Sequence, residues 1–189
     1  MSINNIDLQI AYGAVKHFGR NLYTSNPPAI AELIANSWDA YCTTCDLFYV
    51  DRDQEMTKIT SLLILDNGIG MTDEELVKRY AISGTEKDTS SVRKPNSIKI
   101  RPYMGRKGIG KFSAFSLGDS YTLYTKSEED RQWKKMTFKY ELLLEDRPTV
   151  KVAVEYVDNL TELKEIFSDM EEPTIGTAIY IPKLRRKII

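Results

Sequence analysis

The chain has 189 residues, of which 42% are hydrophobic and 28% charged, and its formal net charge is −1. This composition excludes an intrinsically disordered chain, and a charge so close to zero disfavours a nucleic-acid binder that depends on bulk positive charge. The length corresponds to one folded domain with a sizeable core.

The two cysteines, Cys42 and Cys45, have C-x-x-C spacing. The single histidine, His17, leaves too few ligands for a structural zinc site, so we interpret the cysteines as reduced thiols. No apolar run approaches the ~18 residues of a membrane-spanning helix. The N-terminal stretch MSINNIDLQIAYG lacks the basic and then apolar order of a signal peptide, so we predict a cytoplasmic protein.

The first predicted elements are a helix over residues 25–40, strands over 46–50 and 59–66, and a helix over 72–81. Pro27 and Pro28 are tolerated in the first turn of the first helix, because the amide hydrogens they lack have no partner there. Thr72 and Glu75 have the spacing of a capping box at the start of the second helix.

Residues 86–104 form a long polar segment, which in a compact domain is typical of a functional lid. A third helix over 110–118 follows, and then strands over 120–127, 133–144, 149–157 and 176–184, with a short helix over 159–170. Because helices and strands do not alternate throughout, we predict an α+β two-layer sandwich. It has one mixed, mainly antiparallel sheet with helices on one face.

Three polar residues lie on one stripe of the first helix. Glu32, Asn36 and Asp39 are spaced by four and then three residues, so they share one face. Asn36 offers magnesium the hard oxygen ligand that this ion prefers, and Glu32 can accept a proton from an attacking water. A solvated polar face is the alternative interpretation.

The stretch LDNGIGMT, residues 65–72, places a carboxylate and two glycines directly after an apolar strand. Asp66 at the strand end can accept a hydrogen bond from the amine of a planar base. Gly68 and Gly70 permit positive φ and close approach of a ligand, and Met71 can lie against the face of the base. An ordinary connection between a strand and a helix is the alternative.

The stretch GRKGIGKFSAF, residues 105–115, differs by one residue from the phosphate-binding P-loop. Phe112 stands where that loop needs a hydroxyl, and no buried strand precedes the stretch, so we reject a P-loop. Glycines before a helix N-terminus still form an anion site, to which basic side chains add charge. Two weaker motifs are AISGTEK, residues 81–87, and GTAIYIP, residues 176–182.

Five of these stretches, in order, resemble the GHKL ATPase superfamily of gyrase B, the ninety-kilodalton heat-shock chaperones, histidine kinases and MutL. AELIANSWDA is similar to the family's E-x-x-x-N-x-x-D-A helix, and LDNGIGM and GRKGIGKFSAF to its two glycine boxes. SGT with its following lysine is similar to a chaperone segment, and GTAIYI to the late threonine-bearing strand. The resemblance implies the Bergerat ATP-binding fold with ATP, ADP and Mg²⁺ as ligands.

The resemblance also implies roles on the first helix and at the adenine. Glu32 would be the general base, Asn36 would hold magnesium, and Asp39 would lie at the sugar and phosphate side of the nucleotide. Asp66 would accept the adenine amine with support from Thr177. Three further residues would belong to the adenine pocket: Gly68, Gly70 and Met71.

The remaining implied nucleotide-binding residues belong to the lid, residues 85–104, and to the second glycine box. The lid contributes Thr85 and Lys87 at its near edge. The second glycine box would wrap the phosphates, with residues Arg106, Lys107, Gly108, Ile109, Gly110, Lys111 and Phe112. Whether Lys111 touches the γ-phosphate or only frames the helix end stays open.

The implied function is Mg-dependent ATP hydrolysis that drives lid closure and an ATP-dependent homodimer. We interpret residues 1–189 as a single domain, the N-terminal part of a longer protein, with weak ATPase activity in isolation. The alternative is a nucleotide-sensing interaction module, or a chaperone-like domain, with negligible hydrolysis. Glu32 and the context of His17 disfavour a histidine kinase.

Within the superfamily, the second glycine box is most similar to chaperone, MutL and MORC-like bacterial ATPases. This placement favours a DNA-related or defence-related role. The basic residues in the lid, Arg93, Lys94, Lys99 and Arg101, suggest nucleic acid as one partner. Contact with solvent or phosphate is the interpretation we favour for them.

Overall fold

The computed structural model describes residues 2–9, 23, 25–51, 59–81, 101–105, 110–143 and 149–185. The strands are β1 Asn5–Gln9, β2 Cys45–Asp51, β3 Ile59–Asp66, β4 Ser120–Lys126, β5 Trp133–Lys139, β6 Thr149–Ala153, β7 Glu155–Val157 and β8 Gly176–Ile181. The helices are α1 Asn26–Asp39, α2 Asp73–Glu75, α3 Ser113–Leu117 and α4 Thr161–Ile166. A π-helical turn, Leu76–Tyr80, continues α2, and 3₁₀ turns span Gly110–Phe112 and Tyr140–Leu143.

The main sheet has six strands in the order β2-β3-β8-β4-β5-β7, and β1 pairs with β6 in a separate two-stranded sheet. Every strand pairing in the described part of the chain is antiparallel. The structure therefore confirms a mainly antiparallel sheet in an α+β fold. In the sheet, β8, the last strand of the chain, lies between β3 and β4. Residues far apart in sequence therefore meet at the centre of the sheet.

The two faces of the sheet are covered by different helices. Leu62 and Ile64 of β3 belong to the core cluster that contains Leu33 of α1 and the apolar residues of α3. Leu63 and Leu65, which alternate with them, face the opposite side and share a cluster with Leu163 of α4. The expected helical layer on one face is thus formed by α1 and α3, and the short α4 adds cover on the other face.

Two predicted strands are shorter than their sequence patterns. Residues 149–157 divide into β6 and β7, because Val154 leaves the pairing and the two halves join different sheets. The strand predicted over 133–144 ends at Lys139, and the chain continues as a 3₁₀ turn. The helix predicted over 72–81 begins at a capping box of Thr72 and Glu75, as the spacing indicates.

Strand β1 lies in a stretch for which the sequence analysis predicted no element. Ile6 and Leu8 are buried in the main core, whereas Asn5 and Asp7 are exposed. Two apolar residues in alternation are too short a signal to separate a strand from a polar terminus. Within the described residues, no helix has both the length and the apolar character needed to cross a membrane.

Candidate functional site

The site is built on one face of α1, where the three polar residues of the helix share a stripe. Glu32 and Asn36 are partly exposed, and Asp39, at the helix C-terminus, is 7% exposed. Leu33 and Ser37 on the neighbouring stripe are buried against the sheet. The helix is therefore held by its apolar stripe, and the partly exposed Glu32 and Asn36 can face a ligand.

The second glycine box meets this stripe at Gly110. A Cβ atom at Gly110 would lie 3.3 Å from Asn36 Nδ2 and 3.4 Å from Glu32 Oε2. The 3₁₀ turn that begins at Gly110 leads directly into α3, which packs against α1. The fold thus brings the start of a short helical segment, with its backbone N–H groups, next to a carboxylate and a carboxamide.

Asp66 lies at the end of β3, at the other end of the site, and its side chain is 5% exposed. The Gly68 backbone N–H donates to Asp66 Oδ1 at 2.9 Å, and the Ser37 hydroxyl donates to Asp66 Oδ2 at 2.8 Å. Thr177 of β8 is the register partner of Asp66, and its backbone N–H also donates to the Asp66 carboxylate. Both carboxylate oxygens are therefore held in fixed directions.

Burial raises the pKa of Asp66 from its usual 3.8 to about 6, although the hydrogen bonds from Gly68, Ser37 and Thr177 oppose the rise. A buried carboxylate with so few protein charges nearby is costly unless a donor satisfies it. The site therefore gains from a ligand that offers a hydrogen-bond donor to Asp66. A strongly perturbed carboxyl in a cleft is also a common mark of a functional site.

The first glycine box passes between the end of α1 and the end of β4. Gly70 has a φ of 58°, and a Cβ atom there would lie 2.1 Å from the Lys126 carbonyl oxygen. The backbone N–H of Met71 donates to the Thr125 hydroxyl at 2.9 Å, and Met71 packs partly buried against the core. These contacts fix the loop that follows Asp66.

Gly70→Ala and Gly110→Ala are expected to have different effects. Alanine at position 70 meets both a left-handed backbone and the Lys126 carbonyl, so the free energy of unfolding should fall by more than about 2 kcal/mol. Alanine at position 110 has an ordinary backbone conformation, but its methyl group would lie 3.3 Å from Asn36, so the partly exposed side chains of Asn36 and Glu32 must shift slightly. We therefore expect near-wild-type urea unfolding for Gly110→Ala, with weaker nucleotide binding by calorimetry. Equal loss of stability in both variants would contradict this assignment.

Asp39 contacts the backbone at the start of the second glycine box. Its Oδ1 accepts the Met104 N–H at 2.8 Å, and its Oδ2 accepts the Gly105 N–H at 3.0 Å. The neighbouring Trp38 donates its indole N–H to the Pro102 carbonyl at 3.0 Å. The C-terminal turn of α1 thus holds the short segment 101–105. The sequence patterns did not indicate this contact.

Several predicted site residues lie outside the described residues, namely Thr85, Lys87, Arg106, Lys107, Gly108 and Ile109. Lys111 lies in the 3₁₀ turn with Gly110 and Phe112. The Phe112 side chain is 4% exposed and belongs to the hydrophobic core. Its ring therefore anchors the turn, and only its backbone can face a ligand.

Two residues near the site were missed by the sequence analysis. Ser37 is buried, and its hydroxyl orients Asp66, but a serine between Asn36 and Trp38 has no pattern of its own. Burial raises the pKa of the Tyr23 hydroxyl, and the nearby Glu32 carboxylate adds to the rise. Tyr23 precedes α1 in a polar stretch, and nothing in its spacing indicates contact with Glu32.

A cavity of about 500 Å³ lies beyond Thr72, on the side of the β4–β5 turn. Its lining includes Asp73, Glu74, Glu129 and Asp130. So many carboxylates disfavour a triphosphate, which needs cationic or N–H donors. The glycine boxes and the polar stripe of α1 are therefore the better candidate for nucleotide binding.

Residues 23–176 match the family described as histidine kinase-, DNA gyrase B- and HSP90-like ATPases. The chain belongs to this ATPase family. The match spans α1, β3 and both glycine boxes and ends at Gly176, the first residue of β8. The GHKL resemblance inferred from the five stretches is confirmed.

Proteins similar in sequence to this chain include a putative restriction enzyme and bacterial chaperones. The chain is 30% identical over 125 residues to the putative type II restriction enzyme HgiDII of Herpetosiphon aurantiacus, covering 66% of this chain and 19% of that protein. It is 32% identical over 132 residues to the chaperone protein HtpG of Bacillus subtilis, covering 60% of this chain and 21% of that protein. With HtpG of Wigglesworthia glossinidia brevipalpis the identity is 28% over 130 residues, which cover 59% of this chain and 20% of that protein.

The chain spans about a fifth of the length of these curated relatives. The GHKL-type ATPase domain is thus the part that they share with it, and in these relatives it belongs to a larger protein. ATP binding and hydrolysis are activities of this ATPase family.

Proposed function

We propose that this chain binds Mg-ATP in the cleft between α1 and the two glycine boxes and hydrolyses it to ADP. One observation carries the proposal. The backbone at Gly110 lies against Glu32 and Asn36 of α1, and the buried Asp66 carboxylate is bonded to Ser37 of the same helix. These two positions match the two ends of ATP, since phosphates need N–H donors and the adenine amine needs an acceptor.

In this proposal Asp66 accepts the adenine amine, and Thr177, Gly68 and Ser37 hold its carboxylate in place. Gly70 and Met71 line the adenine pocket. The phosphates lie at the second glycine box, from Arg106 to Phe112, with Lys111 adding charge. Glu32 accepts a proton from the water that attacks the γ-phosphate, so that hydroxide character develops on the water as the terminal P–O bond breaks.

The residues present fit a magnesium ion. The Asn36 carboxamide is directed toward the backbone at Gly110, and Glu32 supplies a carboxylate oxygen beside it. Oxygen donors of this kind, together with phosphate oxygens, are the ligands that magnesium prefers. We propose that Asn36 holds the ion, which when bound neutralises phosphate charge.

We further propose that ATP closes residues 85–104, the lid, over the phosphates. Thr85 and Lys87 lie in the part of the lid outside the described residues, and only residues 101–104 of it are described. Closure on binding and release after hydrolysis would form an order–disorder switch of the kind that γ-phosphate contacts control. Closure would expose a surface for an ATP-dependent homodimer.

The curated relatives support a proposal for the larger protein. One of them is named a putative type II restriction enzyme, and others are named chaperone proteins. We propose that this domain is the N-terminal part of a larger protein, in which nucleotide binding controls further domains in a DNA-related or defence-related process. A nucleotide-sensing or chaperone-like domain with negligible hydrolysis is the alternative.

Calorimetric titration with ATP and GTP, each with and without Mg²⁺, tests the binding part of the proposal. ATP should bind more tightly with Mg²⁺, and GTP should bind poorly because guanine presents a carbonyl where adenine presents its amine. Phosphate release under the same conditions then separates an ATPase from a nucleotide sensor. No binding of ATP, or equal binding of GTP, would rule out the assigned adenine pocket.

Adenosine binding should depend on pH through Asp66, since its ionised form is the better acceptor for the adenine amine. With the pKa of free Asp66 at about 6, affinity should rise as the pH increases through 6 and then level off. Below that pH the affinity should fall up to about tenfold per pH unit, because binding must release the proton. Adenosine is the probe because it has no phosphates that titrate in this range.

Ser37→Ala should move this pH midpoint upward, because it removes a hydrogen bond that favours the ionised carboxylate. Ser61→Ala is the matched control, since Ser61 is also a buried serine but lies on β3 several residues before Asp66. Its midpoint should equal that of the wild type. An unchanged midpoint in Ser37→Ala would show that the serine does not control Asp66.

A further inference from the structure

The C-terminal turn of α1 and the segment 101–105 are joined by contacts of several kinds. Asp39 accepts two backbone N–H groups, those of Met104 and Gly105. Trp38 donates its indole N–H to the Pro102 carbonyl, and the Arg101 guanidinium lies 4.5 Å from the centre of the Trp38 ring. The segment is therefore bound to the helix by both backbone and side-chain groups.

The position of these contacts on α1 relates them to the second glycine box. Asp39 is seven residues beyond Glu32, or roughly 10 Å along the helix axis. Gly105, at the start of the box, is bonded to Asp39, and Gly110 lies against Asn36 and Glu32. Gly105 and Gly110, the described residues on either side of 106–109, thus lie on the same stripe of the helix.

We propose that Asp39 is a positioning residue, whose carboxylate fixes the start of the second glycine box on α1 and so aligns the backbone at Gly110 with Glu32 and Asn36. This inference rests on the proposed nucleotide site but assigns Asp39 a different role from a direct contact with the sugar or phosphates. Asp39 is almost fully buried, and its two oxygens are directed at the backbone of Met104 and Gly105. Its effect on the phosphates would therefore pass through the backbone that it holds.

Asp39→Asn is the principal test because it keeps the size of the side chain. The amide retains one acceptor oxygen and turns its NH₂ group toward a second N–H, so one of the two contacts is lost. ATP affinity, measured by calorimetry, should fall roughly tenfold or more, whereas adenosine affinity should stay within about twofold of the wild type. Adenosine has no phosphates, so its binding should not depend on the alignment of the backbone at Gly110.

A second readout does not need a nucleotide. The amide hydrogens of Met104 and Gly105 should exchange faster with solvent in Asp39→Asn than in the wild type, as followed by NMR. The amide hydrogens in the middle of β3 serve as an internal reference and should keep their exchange rates. Unchanged exchange at both Met104 and Gly105 would overturn the proposal, as would an unchanged ATP affinity.

Two further variants separate positioning from other causes. Asp46→Asn, the same substitution at an exposed residue of β2, should leave all three measurements unchanged. Trp38→Phe keeps an aromatic ring beneath Arg101 but removes the indole N–H, so it should weaken ATP binding in the same direction by a smaller factor. If Asp39→Asn does not fold, Trp38→Phe tests the segment by the same exchange and affinity measurements.

The outcomes distinguish this inference from the proposed function. If adenosine and ATP affinities fall by equal factors in Asp39→Asn, Asp39 contacts the nucleoside or supports the whole pocket, and the positioning role is wrong. If the wild-type chain binds neither adenosine nor ATP, the proposed function fails. The exchange of Met104 and Gly105 still decides whether Asp39 holds the segment.

Discussion

Asp66→Asn is expected to weaken ATP binding roughly tenfold to a hundredfold, the range of one hydrogen bond to a charged group. The wild-type carboxylate offers acceptors only, and two of its lone pairs are used by Gly68 and Ser37. Asparagine keeps one acceptor oxygen and presents an NH₂ group that repels either these donors or the adenine amine. Isothermal calorimetry with ATP at pH 8 measures the change directly.

The control for this substitution is Asp46→Asn. Asp46 lies on β2 and pairs with Leu65, the residue before Asp66, so the two aspartates are on neighbouring strands. Its side chain is exposed and is not part of the proposed nucleotide site. Its replacement should leave ATP affinity unchanged. If Asp66→Asn binds ATP as tightly as the wild type, the adenine amine is not held by Asp66 and the orientation of the nucleotide must be different.

The same substitution should show that the ionised Asp66 carboxylate destabilises the folded protein. Its pKa is raised from 3.8 to about 6, so ionising it in the folded protein costs roughly 3 kcal/mol relative to the unfolded chain. Well below about pH 4 both the folded and the unfolded state hold the proton, and the cost is absent. The cost grows between about pH 4 and 6, where the unfolded chain has lost the proton and the folded protein still holds it, and it levels off above about pH 6. The stability of Asp66→Asn relative to the wild type should therefore increase between pH 4 and 7, as measured by urea unfolding.

A loss of affinity combined with this gain in relative stability would identify a functional residue. Replacing a residue that serves only the fold would lower the stability of the protein, and the nucleotide affinity would fall with it. Functional sites commonly retain such destabilising groups because the ligand needs them. The raised pKa of Asp66 shows that its three N–H or O–H donors do not fully offset the cost of burying the charge, so a further donor would stabilise the ionised carboxylate.

The residues that carry this chemistry were predictable because each lies in a short local pattern. Glu32, Asn36 and Asp39 share a stripe through helical spacing, and Asp66 follows an apolar strand and precedes two glycines. Local spacing determines which residues of one element share a face. It is therefore sufficient to place side chains on one helix or at one strand end.

The contacts between elements were not predictable in the same way. The Ser37 hydroxyl reaches Asp66 across 29 residues, and Asp39 reaches Gly105 across 66 residues. Such pairs depend on how α1 lies on the sheet and on which strands neighbour β3. The resemblance to the family gave Asp39 a place near the nucleotide, and the structure adds the backbone groups that its carboxylate holds.

The strand errors have a related cause. Residues 149–157 alternate without interruption, but Val152 of β6 pairs with Ile6, and Tyr156 of β7 pairs with Lys134. A change of partner at Val154 leaves no mark in an alternating pattern, because both halves bury one face. Likewise, β1 is a strand only because β6 supplies its hydrogen bonds, a contact that joins residues far apart in the chain.

Glu32→Gln is expected to leave ATP binding within a few-fold of the wild type and to reduce the turnover number by roughly a hundredfold to ten-thousandfold, the usual contribution of a general base. Glutamine has nearly the same shape, so its contacts beside Asn36 and Gly110 are kept, but it cannot accept the proton of the attacking water. Calorimetry gives the affinity, and phosphate release under saturating Mg-ATP gives the turnover.

The matched control is Glu165→Gln on the exposed side of α4, which should retain full turnover. Comparison with the wild type also decides between the two proposed functions. If the wild type binds ATP but releases phosphate no faster than Glu32→Gln, the domain is a nucleotide sensor, and Glu32 has another role beside Tyr23. If turnover falls in Glu32→Gln while binding persists, the Glu32 carboxylate is the base, and the three polar residues of α1 have separate roles. Glu32 then acts on water, Asn36 on the ion, and Asp39 on the backbone that carries the phosphates.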